Sequence, residues 1–417
     1  MSTEDADTAV HIPDTVTIDG LDWPVRRAWP ASRGRIAWEA VHPSHGIRVG
    51  YLDEQRVRVL DAARDPKLPG LTGQLERGGR LVSHRPGKRA VVRLPDGTFA
   101  KCVRDGRASD VIAGQRRAAG FLPGFTLPQV LRSDTSTVVL SGVPGVELHD
   151  PAELGGNWSR AWAESLGAWA KATPPTATMP VHDAAAEADV LRTWRDRVRS
   201  VLGADSVPWT GARRTATDRT STDRTGTDRT ARRRTGTDRT DTDRAGTDLE
   251  AIDELIAEVT NELTAGAAAE PDGQATVERN GGAASARDGS FGLIHRDLHD
   301  KQIMWDPVAG PGLLDVDTAC MGERALDLGN LLAHARWRTD QGLWTPAEAA
   351  VVIEEIARVA SAIGIDPGRV SVYERATLIR LACVYAFRPR WRDHTGALLD
   401  AVEASWSEAV GRQASTR

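Results

Sequence analysis

The stretch Leu293-Ile294-His295-Arg296-Asp297-Leu298-His299-Asp300-Lys301-Gln302-Ile303-Met304-Trp305 decides how this chain is read, together with Leu313-Leu314-Asp315-Val316-Asp317 a short connection later. Each block sets acidic residues beside an apolar, strand-like anchor. That places carboxylates at the ends of two short strands, held rigidly and near one another. Such a pair suits a site that orients a hydroxyl group and also holds a divalent cation on a nucleotide. The competing reading makes the acids loop solvation and His295 a satisfied core histidine. It requires every piece to fall in register by chance.

Upstream, three strand-like runs follow one another closely. Arg80–His84 leads to the turn Arg85-Pro86-Gly87-Lys88, Arg89–Leu94 leads to Pro95-Asp96-Gly97, and Thr98–Val103 follows. Pro-Gly and Asp-Gly turns between such runs predict an antiparallel meander. Lys101 alternates with apolar neighbours in the third run. The only other lysines are Lys67, Lys88, Lys171 and Lys301. A lysine in a buried strand needs an anionic partner or an open cleft; the other reading is an edge-strand lysine pointing into water. Lys88 and Arg89 read equally as a solvated hairpin tip.

The bulk numbers bound the function. The chain has 417 residues, 40% of them hydrophobic, enough for two lobes, and a net charge of −5. No global basic field draws it to nucleic acid or a membrane surface. The three cysteines, Cys102, Cys320 and Cys383, allow no multi-bridge framework or CxxC metal pair, which predicts a reducing, cytoplasmic setting. The polar start MSTEDADTAVHIPD lacks the pattern of a signal peptide, and no apolar run is long enough to span a bilayer.

Short strands are expected at Arg35–Val41 and Gly46–Tyr51, and a helix at Ala108–Ala119. From Trp158 onward the pattern turns helical: Trp158–Ala172, Ala185–Leu202, Leu249–Leu263, Pro346–Ile363, Val370–Phe387 and Gly396–Val410. Residues 210–248 break the pattern with a five-residue repeat of Thr, Asp and Arg. With almost no apolar side chains it cannot offset its ordering entropy, so it reads as a disordered surface insertion.

The motifs together resemble the aminoglycoside-phosphotransferase branch of small-molecule kinases. HRDLHDKQ follows the H-x-D-x-x-x-x-N catalytic-loop pattern with Gln302 in the Asn position, and LLDVD is similar to the metal-binding segment after it. His299 and the downstream GERALDLGNLL fit this branch rather than protein kinases. A G-x-G-x-x-G loop and an A-P-E-like segment are both missing. The resemblance implies an α+β, bilobal, protein-kinase-like fold with an antiparallel-sheet N-lobe and a mostly helical C-lobe. It implies a disordered stretch at 1–17, an added segment at 18–79, a nucleotide-binding lobe at 80–142 and a catalytic lobe at 143–417, with the hinge near Leu140–Gly145. It implies ATP and Mg²⁺ as cofactors and a small hydroxylated molecule as acceptor.

By the same resemblance Asp297 orients the acceptor hydroxyl and takes its proton. Gln302 and Asp315 ligate Mg²⁺, Asp317 assists, and Asp327 supports the loops. Lys101 pairs with the nucleotide phosphates, which Gly87, Lys88 and Arg89 cover. Two departures stand out. Gln302 replaces Asn, as in maltokinase-like sugar kinases, which tilts the acceptor towards a sugar; its amide oxygen can still ligate a cation. Between Lys101 and Gln129 there is no glutamate to pair with the lysine, so Asp110 or Gln115 would have to stand in. That absence motivates the alternative of a pseudokinase, a regulatory protein that binds nucleotide without turnover.

Overall fold

The computed structural model describes residues 11–202, 241–268 and 290–415, apart from residues 33, 54, 55 and 177. An antiparallel-sheet N-terminal region joins a mostly helical C-terminal region, the α+β, two-lobed arrangement the motifs implied.

The chain begins with a five-stranded meander: β1 (Thr15–Ile18), β2 (Leu21–Pro30), β3 (Ile36–His42), β4 (Gly46–Asp53) and β5 (Arg56–Val59). Asp19 and Gly20 join β1 to β2 with φ of 54° and 78°, the paired left-handed conformation that a two-residue hairpin requires. Residues 36–40 of β3 are all buried, so this central strand is covered on both faces. Glu39 is among them at 0% exposure. Its carboxylate accepts from Arg26 (2.7 Å), from Arg27 (2.9 Å) and from the backbone N–H of His84 (2.7 Å) in the next sheet. A buried carboxylate without such partners would be costly; with them it joins two sheets.

Disorder was expected over residues 1–17, and the structure corrects this from residue 11 onward. Ile12 and Val16 are buried, Thr15–Ile18 pair with β2, and Arg392 from the far end of the chain donates to the carbonyl of Ile12 (2.6 Å). The apolar side chains at 12, 16 and 18 carry the ordering. Residues 1–10 lie outside the described residues.

The second sheet holds the nucleotide-side candidates. Helix α1 (Gly70–Glu76) precedes β6 (Arg80–Arg85), β7 (Arg89–Arg93) and β8 (Phe99–Val103). Helix α2 (Ala108–Arg117), β9 (Val130–Ser133) and β10 (Thr137–Leu140) follow, giving the order β6-β7-β8-β10-β9. Strand β8 is thus internal, which removes the edge-strand reading of Lys101. The chain then crosses at Gly145 (φ 98°), where a Cβ would lie 2.2 Å from the carbonyl oxygen of Trp305. Only glycine fits that crossing.

The C-terminal region contains β11 (Val146–Glu147), α3 (Pro151–Leu154), α4 (Trp158–Ala170), β12 (Val181–His182), α5 (Ala184–Leu202) and α6 (Asp241–Ala268). Next come β13 (Phe291–Ile294), β14 (Ile303–Asp306), β15 (Gly310–Leu313), β16 (Cys320–Glu323) and α7 (Ala325–Asp340), then α8 (Pro346–Ala362), α9 (Pro367–Tyr385) and α10 (Thr395–Ser415). Two small sheets, β11-β14-β15 and β12-β16-β13, hold the motif loops. Helix starts follow the sequence: Thr345 and Glu348 form a capping box on α8, and Asp366 caps α9 ahead of Pro367. Trp158, Trp162 and Trp344 meet edge-to-face in the core.

The expected disordered insertion at 210–248 lies outside the described residues up to 240. From Asp241 the chain is helical instead, because α6 extends N-terminally from a segment anchored by Ile252, Leu255, Ile256, Val259 and Leu263. Extending a packed helix adds a hydrogen bond per residue at no nucleation cost.

Replacing Glu39 by Leu is expected to lower the unfolding free energy by about 3 kcal/mol, because Arg26, Arg27 and the His84 N–H lose their shared acceptor. Urea unfolding measures this; a change below about 0.5 kcal/mol would show that the two sheets do not depend on this carboxylate.

Candidate active site

The motif loops emerge from the two small sheets and are held together by backbone hydrogen bonds. Strand β13 delivers His295, whose Nε2–H donates to the carbonyl of Leu314 (2.8 Å). The N–H of Leu314 in turn donates to the carbonyl of Gln302 (2.8 Å). Thr318 closes the ring by donating to the carbonyl of His295 (2.9 Å). His295 is therefore a fully buried, hydrogen-bonded core histidine that fastens the two loops together.

Arg296 has φ 74° and Asp315 φ 49°, both in the left-handed region that non-glycine residues avoid. Asp327 holds the first of these. Its two oxygens accept from the backbone N–H groups of His295 and Arg296 (2.8 Å each), and Oδ2 also accepts from the indole of Trp169 (2.9 Å). Burial raises the Asp327 carboxyl above its ordinary pKa, against the pull of His295 and these donors. This is the supporting place expected for Asp327.

Lys101 reaches across the cleft from β8. Its Nζ donates to Asp315 (2.8 Å) and also to Asp317, while only 9% of its side chain is exposed. Arg89 approaches the other oxygen of Asp315 at 3.5 Å. Burial pushes the Asp315 carboxyl up, but Lys101 and Arg89 outweigh it and hold the group well below the usual carboxylate range. These two cations favour the ionised form of Asp315.

The acidic partner of Lys101 comes from the loop and not from α2. Helix α2 approaches the Asp315–Asp317 segment so closely that a Cβ on Gly114 would lie 2.5 Å from the Cα of Asp317. From the same helix, Arg117 donates to the carbonyls of Asp317 (2.8 Å) and Ala319 (2.7 Å). The helix contributes a guanidinium that grips the loop backbone, and the loop contributes the carboxylate of Asp317 to Lys101. Neither expected stand-in serves. Asp110 is largely exposed and pairs with Arg107, and no hydrogen bond joins Gln115 to Lys101 among the described residues.

The oxygen donors here fit a hard divalent cation, which takes carboxylate and amide oxygens. The Oδ1 of Asp317 is buried with no hydrogen-bond partner, and Asp315 is held ionised beside it. The Gln302 side chain lies on the same loop, with its Nε2 3.4 Å from Nε2 of His299.

The hairpin tip is built differently from a glycine-rich loop. Gly87 (φ 64°) donates its N–H to Asp65 (2.6 Å), and its carbonyl accepts from Arg104 (2.6 Å). Asp65 also accepts from His84 Nε2 (3.0 Å) and the N–H of Lys67 (3.0 Å). Burial opposes the ionised form of Asp65, but these bonds prevail and its carboxyl sits below the ordinary value. Gly87 thus shapes the tip, and Lys88 and Arg89 are its exposed charges.

Asp297 is half-exposed, with 48% of its side chain open, and Arg380 on α9 lies 3.6 Å from it. Arg380 also bonds Asn330 and lies 3.9 Å from Glu187 on α5, itself held by His182 (2.7 Å). Beneath the loop, the fully buried Asp300 accepts two bonds from Arg338 (2.9 and 3.0 Å) and one from His149. His299 stacks on His334 with centroids 4.7 Å apart. The motif reading did not reveal Arg338, His149 or Asp65, since each reaches the site from a distant segment.

A family model described as "Phosphotransferase enzyme family" matches residues 79–370, starting one residue before β6. Similar solved structures include an aminoglycoside phosphotransferase from Streptomyces rimosus, with 19% identity over 75% of this chain and 96% of that one and a TM-score of 0.46. A choline/ethanolamine kinase family protein from Mesorhizobium loti shows 15% identity over 81% and 92%, with a TM-score of 0.44. A glucosamine kinase shows 14% identity over 94% and 95%, with a TM-score of 0.41. No curated protein matches the chain.

Gly114→Ala forces α2 and the Asp317 segment apart, so it is expected to cost about 1–3 kcal/mol of stability. Thermal or urea unfolding reads this. A neutral substitution would mean that the close approach does not hold the lysine's partner in place.

Proposed function

The chain belongs to the phosphotransferase enzyme family, and from that premise we propose that it moves the γ-phosphate of ATP onto a hydroxyl of a small molecule. One observation carries the reading: a buried strand lysine, Lys101, shares two loop carboxylates, Asp315 and Asp317, from the opposite side of the cleft. A half-exposed carboxylate, Asp297, stands on the loop fastened to theirs. Residues 80–142 form the nucleotide-binding lobe and residues from 143 the catalytic lobe.

The residues divide the work by chemistry. Asp297 orients the acceptor hydroxyl and receives its proton as the new P–O bond forms. The bond from the γ-phosphorus to the bridging oxygen of ADP breaks, and ADP leaves with that electron pair. Lys101 keeps Asp317 as its partner and turns from Asp315 to pair with the nucleotide phosphates. Lys88 and Arg89 add charge from the hairpin tip. Gln302 and Asp315 hold Mg²⁺, assisted by Asp317; when bound, the ion neutralises phosphate charge. Most of the catalysis is then positioning and electrostatic stabilisation, because phosphoryl transfer asks for little covalent participation.

The pseudokinase reading rested on a lysine with no acidic partner. Asp317 supplies that partner, so the reason for it falls away. No helix among the described residues is long and apolar enough to cross a membrane, and a cytoplasmic small-molecule kinase accords with three free, buried cysteines.

Asp297→Asn is expected to lower kcat by about 10²–10⁴-fold, while Mg²⁺-dependent binding of ATP, followed by thermal shift, stays within about threefold of the parent. Turnover that survives this substitution would sink the role given to Asp297. Failure of the unaltered protein to bind ATP with Mg²⁺ would sink the kinase reading itself.

A further inference from the structure

The loop that carries Asp297 also carries a cluster that the proposed reaction does not use. His299, Asp300 and His334 bring ligand-type atoms within 4.8 Å of one another. They do not make a cation site. Arg338 bonds both oxygens of the fully buried Asp300, and His149 bonds one of them as well. A cation placed there would meet a guanidinium, and the two repel. Nδ1 of His334 faces the same guanidinium at 3.4 Å. His299 lies on His334, with centroids 4.7 Å apart and ring planes 28° from parallel. The cluster is a support, and what it supports is the His299 ring.

The hydrogen bonds of that ring decide where its proton is. The turn from residue 299 to 302 is closed by the N–H of Gln302, which donates to the carbonyl of His299 (2.8 Å). Inside it, the N–H of Lys301 donates to Nδ1 of His299 (3.2 Å). Nδ1 accepts this bond only with its lone pair. A proton on Nδ1 would face that N–H, and Oδ1 of Asp300, at 3.9 Å, is beyond hydrogen-bond reach. The ring therefore carries its one proton on Nε2. Nε2 faces one end of the Gln302 side-chain amide, 3.4 Å away. The two ends of an amide have the same shape, so the partner decides which is oxygen. Nitrogen at that end would set N–H against N–H. Opposite a donor, the end is Oε1.

We propose that His299 is a positioning residue for the cation: its Nε2–H donates to Oε1 of Gln302, fixes the amide, and leaves the second lone pair of that oxygen for Mg²⁺. The proposal rests on the kinase reading above, which gives Gln302 to the ion. Outer partners of this kind set the orientation of metal ligands. The device also suits the replacement of Asn by Gln in this loop. A stem one methylene longer has one more torsion to order, and the histidine three residues upstream supplies the restraint. Asp300, Arg338 and His334 act one step further back, by holding the ring.

Nitrogen-15 NMR of the full chain without ligands tests the proton's place. The His299 ring signals, assigned by their loss in His299→Gln, are expected to show a protonated Nε2 and an unprotonated Nδ1. A proton on Nδ1 overturns the proposal. Calorimetry tests the consequence, as the ratio of the Kd for ADP without Mg²⁺ to that with it. His299→Leu is expected to lower this ratio by about tenfold. His299→Gln, whose own side-chain N–H can replace Nε2–H, is expected to stay within about threefold of the parent. Gln302→Leu lowers the ratio too, and adding His299→Leu to it is expected to change nothing further. A histidine that only packs the loop would lower it again. An unchanged ratio in His299→Leu, or a further fall of about tenfold in the double variant, overturns the proposal. If His299→Leu does not fold, the spectrum of the unaltered protein decides. ADP binding that never responds to Mg²⁺ in the unaltered protein sinks the kinase reading instead, and the ligand-free spectrum still decides the place of the proton.

Discussion

The bond from Lys101 to Asp315 and Asp317 is the constraint on which the rest of this structure turns. It joins residues 214 and 216 positions apart in the chain and ties the internal strand of one lobe to the loops of the other. A lysine buried at this depth cannot be left alone, and breaking such a pair from one side costs about 3–5 kcal/mol. The surroundings follow from keeping the two carboxylates in place. Arg117 grips the backbone that carries Asp317, His295 and Thr318 fasten that backbone to the Asp297 loop, and Asp327 holds the strained backbone of Arg296. A ligand that draws Lys101 away from Asp315 must replace the charge there, as the nucleotide and cation proposed for this cleft would.

Much of this was legible in the sequence because it is local. The HRDLHDKQ and LLDVD blocks carry their own flanking strands, the Pro-Gly and Asp-Gly turns fix the meander, and apolar spacing marks α4, α5, α8 and α9. Their ends fall within a few residues of the expected ones. The N-terminal meander was only partly legible. Strands β3 and β4 show their pattern, but β1 and the order of residues 11–14 depend on contacts with the other end of the chain, such as Arg392 with Ile12 and Asp14. No local rule predicts a partner nearly four hundred residues away.

The absent helix glutamate shows the same limit from the other side. Read along the chain, its absence points to a broken site. Read in space, the lysine is not without an acid: α2 sits so near Asp317 that there is no room for a side chain at Gly114, and Asp317 reaches the lysine. The acid at this ammonium group comes from the loop and not from the helix. Linear motifs record which residue types are needed, but the segment that supplies them is a matter of packing.

The hairpin tip extends this argument. Loops with several glycines hold phosphates mainly through backbone N–H groups, which requires those groups to be free. In this chain the N–H of Gly87 is already given to Asp65 and its carbonyl to Arg104. The tip has one glycine because it has one turn to make. What it can offer an anion is side-chain charge, from Lys88 and Arg89 on one side and Arg85 on the other. Asp65 and Glu39, from the segment before residue 79, hold that tip in shape through His84 and Gly87. The N-terminal meander is therefore not an appendage to the rest of the chain: it holds the hairpin that carries Arg85, Lys88 and Arg89 in shape.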